Sequence, residues 1–152
     1  MDVSYVNPFV TATILCFKTM VFTDVTPLKP SLKNEPYPTH DISGVIGLSG
    51  EAQGSISLSF PLDVAIKVIS SMLGCEITEK SPELNDGIGE IANIIAGNAK
   101  RGLTKYNLSI SLPNVIVGKG HVIGGQSGCP TIIVPFSSKI GTFSMEVALK
   151  TK

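Results

Sequence analysis

The sequence predicts an α+β fold, with helices packed on one face of a mixed or antiparallel sheet. Apolar residues recur at helical spacing in three separate stretches, and several others alternate with period two between turn residues. Their order is helix, two strands, two helices, then three or four strands. A chain of 152 residues suffices for a real core, so one domain over 1–152 is expected.

The first helix opens at Asn7-Pro8, with Asn7 as cap and Pro8 at the first helical position. Val10, Ile14, Phe17 and Val21 then form its expected core-facing stripe. From Thr23 to Asp41 the prolines at 27, 30, 36 and 38 oppose both helix and central strand. That stretch is read as an extended surface connection, with a recognition segment as the functional alternative. Ile42–Leu48 and Gly54–Phe60 alternate around the turn Ser49-Gly50-Glu51, which makes a hairpin. Its serines 55, 57 and 59 share one face, for which solvent is the default expectation. Pro61 to Leu73 is the next helix: Asp63 lies in the first turn, Leu62, Ile66, Ile69 and Leu73 face inward, and Gly74 stops it.

Ser81 to Lys105 reads as one long helix, with Ser81 as N-cap, Pro82 at the first position, and Glu83 and Asp86 near its positive end. Beyond it Leu108, Ile110 and Leu112 alternate with serines, and Pro113-Asn114 interrupts before Val115–Val117. His121–Ile123, Thr131–Val134 and Thr142–Leu149 are further strands, the last with Phe143, Met145, Val147 and Leu149 on one side. The helix–strand–strand order recurs in both halves and hints at an internal duplication.

The long helix has two unlike sides. At about 100° per residue Leu84, Ile88, Ile91, Ile95 and Ala99 share a wide apolar face. Asp86, Glu90, Asn93, Gly97, Lys100 and Thr104 fall in a polar stripe about 80° wide by the same arithmetic. On spacing alone, a Glu and an Asn at i, i+3 describe a solvated face. The chemistry open to them is narrow. Asn93 cannot act as nucleophile or base, yet its carbonyl can accept a hydrogen bond from a water while its NH₂ donates elsewhere. Glu90 is a fixed negative charge able to pair with a cation on something docked there. Gly89 and Gly97 lack side chains, at roughly 1 kcal/mol each in helix propensity, and would let another backbone approach closely. Nothing here supplies a metal, a phosphate cradle or a covalent intermediate, so any electrophile comes from a partner.

The pattern D-x-x-G-E-x-x-N-x-x-x-G, here Asp86, Gly89, Glu90, Asn93 and Gly97, resembles the helix signature of the CheC/CheX/FliY phosphatases of bacterial chemotaxis. The first helix contains no Glu, so a second E-x-x-N helix is missing and the resemblance is to the one-site CheX branch. The order of elements, αββαα followed by strands, agrees with it. The resemblance implies hydrolysis of the aspartyl phosphate of a CheY-type response regulator in two-component signalling. It implies that Asn93 enters the regulator's active site and orients the attacking water, while Glu90 pairs with the regulator's lysine. Asp86, Gly89 and Gly97 would belong to the contact, and Mg²⁺ would belong to the regulator, with no cofactor on this chain.

Composition narrows the alternatives. Hydrophobic residues make up 43% against 16% charged, with mean hydropathy +0.31, but no apolar run reaches the roughly 18 to 20 residues of a membrane span. The excess is read as subunit contact and predicts a homodimer. Twelve basic and twelve acidic residues leave no net charge, and nothing supports nucleic-acid binding. Cys16, Cys75 and Cys129 form neither a metal pattern nor a disulfide framework, and MDVSYVNPF lacks the form of a signal peptide; a cytoplasmic protein is expected.

Gly125-Gln-Ser127-Gly-Cys-Pro130 resembles a serine-protease nucleophile turn, but the chain has only His40 and His121 as bases. Gly118-Lys-Gly120 leads into strand and fails as a dinucleotide motif, and Asn107-Leu-Ser109 is a glycosylation acceptor without meaning in a cytoplasmic protein. Three functional readings result. The first is the phosphatase. The second is a non-catalytic CheX-like module that binds or scaffolds a response regulator or flagellar component. The third is a small-molecule hydrolase using Ser127.

Overall fold

The computed structural model describes residues 4–33, 40–104, 106–118 and 130–151. Three helices pack on a sheet of eight strands: α1 (Val6–Cys16), β1 (Val25–Pro27), β2 (Ser31–Leu32), β3 (Ile42–Gly50), β4 (Ala52–Phe60), α2 (Leu62–Leu73), α3 (Pro82–Gly102), β5 (Leu108–Ile110), β6 (Asn114–Val117), β7 (Thr131–Ser138) and β8 (Gly141–Thr151). Every pairing is antiparallel. The α+β class expected from the patterning is the class observed. The expected strand His121–Ile123, the Ser127 turn and Cys129 lie outside the described residues.

The strand order is β1-β7-β8-β4-β3-β5, with β2 also on β7 and β6 also on β3. It is palindromic. Exchanging β1 to β4 with β5 to β8 returns the same sheet, and α1 exchanges with α3, against which it packs. The two halves meet at the β4–β8 seam, where Ile56 pairs with Val147 and Leu58 with Met145. Each half lays its two short strands along the other half's hairpin. The topology therefore supports the duplication that the element order hinted at.

Helix-facing strand positions form the core. Ile42, Ile46, Ile56, Leu58, Phe60, Phe136, Phe143 and Met145 are all buried. Phe143 is the aromatic hub: its ring stacks on Phe17, Phe60 and Phe136 with centroids 4.6, 5.0 and 5.1 Å away. The opposite sheet face is polar and buried at its centre, while Gln53, Thr142 and Lys150 at its margins are exposed. Ser57 and Ser59 are buried, against the solvent expected for them, and Ser59 Oγ lies 2.8 Å from the donating hydroxyl of Ser43 and 3.0 Å from the His40 N–H. On the same face Lys33 Nζ meets Glu146 Oε1 at 2.8 Å, with side chains only 8% and 7% exposed.

The stretch over 23–41, expected to be an extended surface connection, contains the short strands β1 and β2. Both lie at the outer margin of the sheet, where Pro27 needs to donate no hydrogen bond to the ladder. The helix phases also differ from expectation. α1 starts at Val6, ahead of Asn7 and Pro8, and Tyr5 stands at its cap. It buries Val6, Phe9, Ala12, Thr13 and Cys16, whereas Val10 and Ile14 are only half-buried. A π-helical turn, Phe17–Val21, follows and ends at Phe22 with φ 57°. That wider turn means residues before and after it cannot share one α-helical stripe. α2 buries Val64, Ala65, Val68 and Ile69, leaving Leu73 46% exposed. Its first turn is capped by Asp41, whose Oδ2 accepts from the Leu62 N–H at 2.7 Å, and Gly74 ends it at φ 70°.

Among the described residues no helix is long and apolar enough to cross a membrane. The seam carries a direct test of the register. A β-carbon at Gly54 would sit 1.8 Å from the Ala148 carbonyl oxygen, and backbone cannot swing aside as a side chain can. Gly54→Ala is expected to destabilise the fold by about 2 kcal/mol or more, read as a lower urea midpoint.

Candidate functional site

The candidate site is the outer stripe of α3. The helix forms where expected: Pro82 occupies its first turn, Glu83 provides early negative charge, and Lys100 and Arg101 complement its last turn. Ser81 is the cap residue but does not cap through its hydroxyl, which instead accepts from the Thr78 N–H at 3.0 Å. The inward face is as the periodicity predicts, with Leu84, Ile88, Ile91, Ile95 and Ala99 buried. The helix ends at Gly102, so Thr104 falls beyond it.

With the inner face fixed, the outer one has no freedom of phase. Asp86, Glu90 and Lys100 are exposed, and Asn93 and Gly97 are half-buried on the same stripe. Glu90 and Asn93 are neighbours at i, i+3. Among the described residues, the side chains of Asp86, Glu90 and Asn93 have no hydrogen-bond or ion-pair partner. Each keeps its full bonding capacity toward whatever approaches. Glu90 also lies near the end of α1. Burial first, and then the Glu90 charge, push the Cys16 thiol up to about 11, so Cys16 is a neutral core residue and no nucleophile.

The two glycines of the pattern differ. Gly89 is buried, not on the outer stripe: a β-carbon there would stand 3.4 Å from Val115 Cγ2 and 3.5 Å from Pro113 Cγ. Its place is beside β6 and the turn before it. The expected role fits Gly97, where an added β-carbon meets nothing within 4 Å. Gly97 thus leaves an open notch one turn beyond Asn93.

One feature at the site went unread in the sequence. The alternation of Leu108, Ile110 and Leu112 predicts strand through residue 112, yet β5 stops at Ile110 and Leu112 is exposed. The signal was Pro113, which restricts the residue before it and interrupts the ladder.

The chemistry of the stripe is recognition and orientation. It offers one carboxamide, two carboxylates, the Lys100 ammonium and bare helix backbone. Among the described residues no group of three or more His, Cys, Asp or Glu is placed to hold a metal.

Comparison with known proteins fits this geometry. Residues 42–137 match the family model for the chemotaxis phosphatase CheX. A relative from Thermotoga maritima, named CheY-P phosphatase CheX, is 29% identical over 122 residues, covering 78% of this chain and 79% of that protein. A solved chemotaxis protein CheX from Desulfovibrio desulfuricans superposes with TM-score 0.91 at 34% identity, over 97% of this chain and 100% of that one. CheX from Borrelia burgdorferi, solved in complex with CheY, BeF₃ and Mg²⁺, superposes with TM-score 0.84 at 25% identity, over 98% and 99% of the chains.

The open notch makes a prediction about stability. Gly97→Ala is expected to raise stability by about 0.5 to 1 kcal/mol, because alanine favours the helix and meets no obstacle here. A higher urea midpoint checks it.

Proposed function

This chain belongs to the chemotaxis phosphatase CheX family, and we propose that it hydrolyses the aspartyl phosphate of a CheY-type response regulator. Asn93 orients the attacking water and Glu90 docks on the regulator's active-site lysine. The observation that carries this reading is the pair itself, side by side on α3 with no partner among the described residues. The relative named a CheY-P phosphatase and the CheX solved with CheY support the choice of partner.

The reaction asks little of this chain beyond placement. The Asn93 carbonyl accepts a hydrogen bond from the water, which fixes its lone pair in line with the bond to be broken. The water oxygen bonds to phosphorus, the bond from phosphorus to the aspartate oxygen breaks, and inorganic phosphate leaves with the carboxylate regenerated. An acyl phosphate is already activated, so orientation removes a useful part of the barrier. Glu90 supplies a charge-assisted contact that registers the helix on the regulator. Mg²⁺, which neutralises phosphoryl charge, belongs to the regulator in this scheme. Asp86 lies at the edge of the contact, and the Gly97 notch admits the partner's backbone.

The test uses a phosphorylated regulator and follows release of inorganic phosphate. Asn93→Ala is expected to lower kcat by about 100-fold while leaving affinity for the beryllofluoride-activated regulator intact. Glu90→Ala is expected to weaken that affinity by about tenfold, an effect that shrinks as salt rises. An Asn93→Ala protein as active as the parent overturns the mechanism. A parent that binds the regulator without shortening its phosphate lifetime is a binding module instead.

A further inference from the structure

Leu112 is 85% exposed, more than any other large apolar side chain described. Its backbone is nevertheless pinned on both sides. Before it, the Ser111 N–H donates to the Gly47 carbonyl at 2.9 Å, and the Gly47 N–H donates to Ser111 Oγ at 2.8 Å. The same hydroxyl donates to the Leu112 carbonyl at 2.8 Å. After it, Pro113 lies over Gly89 on α3, its ring 3.5 Å from where a β-carbon of residue 89 would stand. Leu112 is therefore an apolar knob on a fixed mount, not the tip of a loose loop.

Its position is set by the same contacts. Gly89 and Asn93 are one turn apart on one side of α3, so the mount stands beside the carboxamide. Resting on the function proposed above, we infer that Leu112 is an apolar anchor for the phosphorylated regulator, seating in an apolar hollow beside its phosphoaspartate. Continuity with the stripe selects this occupant. Burying a leucine whose backbone is already ordered adds affinity without a backbone ordering cost, and its removal is worth about tenfold in Kd. The anchor is a positioning residue: it holds the regulator and touches no reacting atom.

Leu112→Ser in the full chain tests it, with Leu112→Ala as the milder control. Affinity for a beryllofluoride-activated CheY-type regulator, KM and kcat for phosphate release, melting temperature and solution mass are measured together. The expected result is Kd and KM raised about tenfold, kcat within about twofold of the parent, and unchanged melting temperature and mass. Unchanged Kd and KM against a parent that binds and hydrolyses overturn the anchor alone. A change in solution mass assigns the knob to a second copy of this chain and also overturns it. A parent that neither binds nor hydrolyses overturns the anchor together with the proposed function.

Discussion

The distance between α3 and β3 governs everything the site can be. At Gly44 the sheet comes so close to the helix that an added β-carbon would lie 3.1 Å from both the Ala92 β-carbon and the Ile88 carbonyl oxygen. Small residues on both surfaces, Gly44 below and Ala92 above, permit that approach. Isoleucines 88, 91 and 95 then fill the space on either side and are fully buried. A helix held so tightly cannot roll, and each degree it cannot roll is precision given to the side chains on its far side. Glu90 and Asn93 are displayed by packing beneath them, not by hydrogen bonds among themselves.

How much of this could be read from the chain depended on contrast. α3 was legible because its two faces differ sharply: isoleucine and alanine on one, carboxylates, amide and glycine on the other. α1 is apolar over most of its circumference, so spacing found a helix but could not choose which side turned inward. The π-helical turn at Phe17–Val21 has no signature in composition. The hairpin serines looked like a wet surface because polarity was taken for exposure, whereas hydroxyls can satisfy one another, as Ser43 and Ser59 do. Prolines concealed β1 and β2 because margin strands tolerate what central strands do not. At the site, the pattern named Gly89 and Gly97 together, and only the fold separates them: Gly89 lies beside Pro113 and Val115, whereas Gly97 faces open space.

The palindromic sheet shows how one site arises on a doubled frame. α1 occupies the position that mirrors α3, yet it carries Phe9, Thr13 and Cys16 against the core and no carboxylate at all. Its buried polar side chain, Thr13, turns inward: the hydroxyl donates to the Phe9 carbonyl at 2.8 Å and lies 3.6 Å from Met145 Sδ. One helix is thus free to present chemistry because the other has become support. The buried Lys33–Glu146 pair adds a second asymmetry, tying the segment after β2 to the middle of β8.

The seam between the halves has a consequence for how the molecule is made. β8 follows every other described strand in the chain, yet it sits in the middle of the sheet, between β4 and β7. On the ribosome, β3, β4 and α3 emerge with the neighbour that completes them still unsynthesised, and β4 waits with an open edge until Gly141–Thr151 follows. Such a nascent chain is exposed to wrong strand pairing for most of its translation, a period in which cellular chaperones are its natural company.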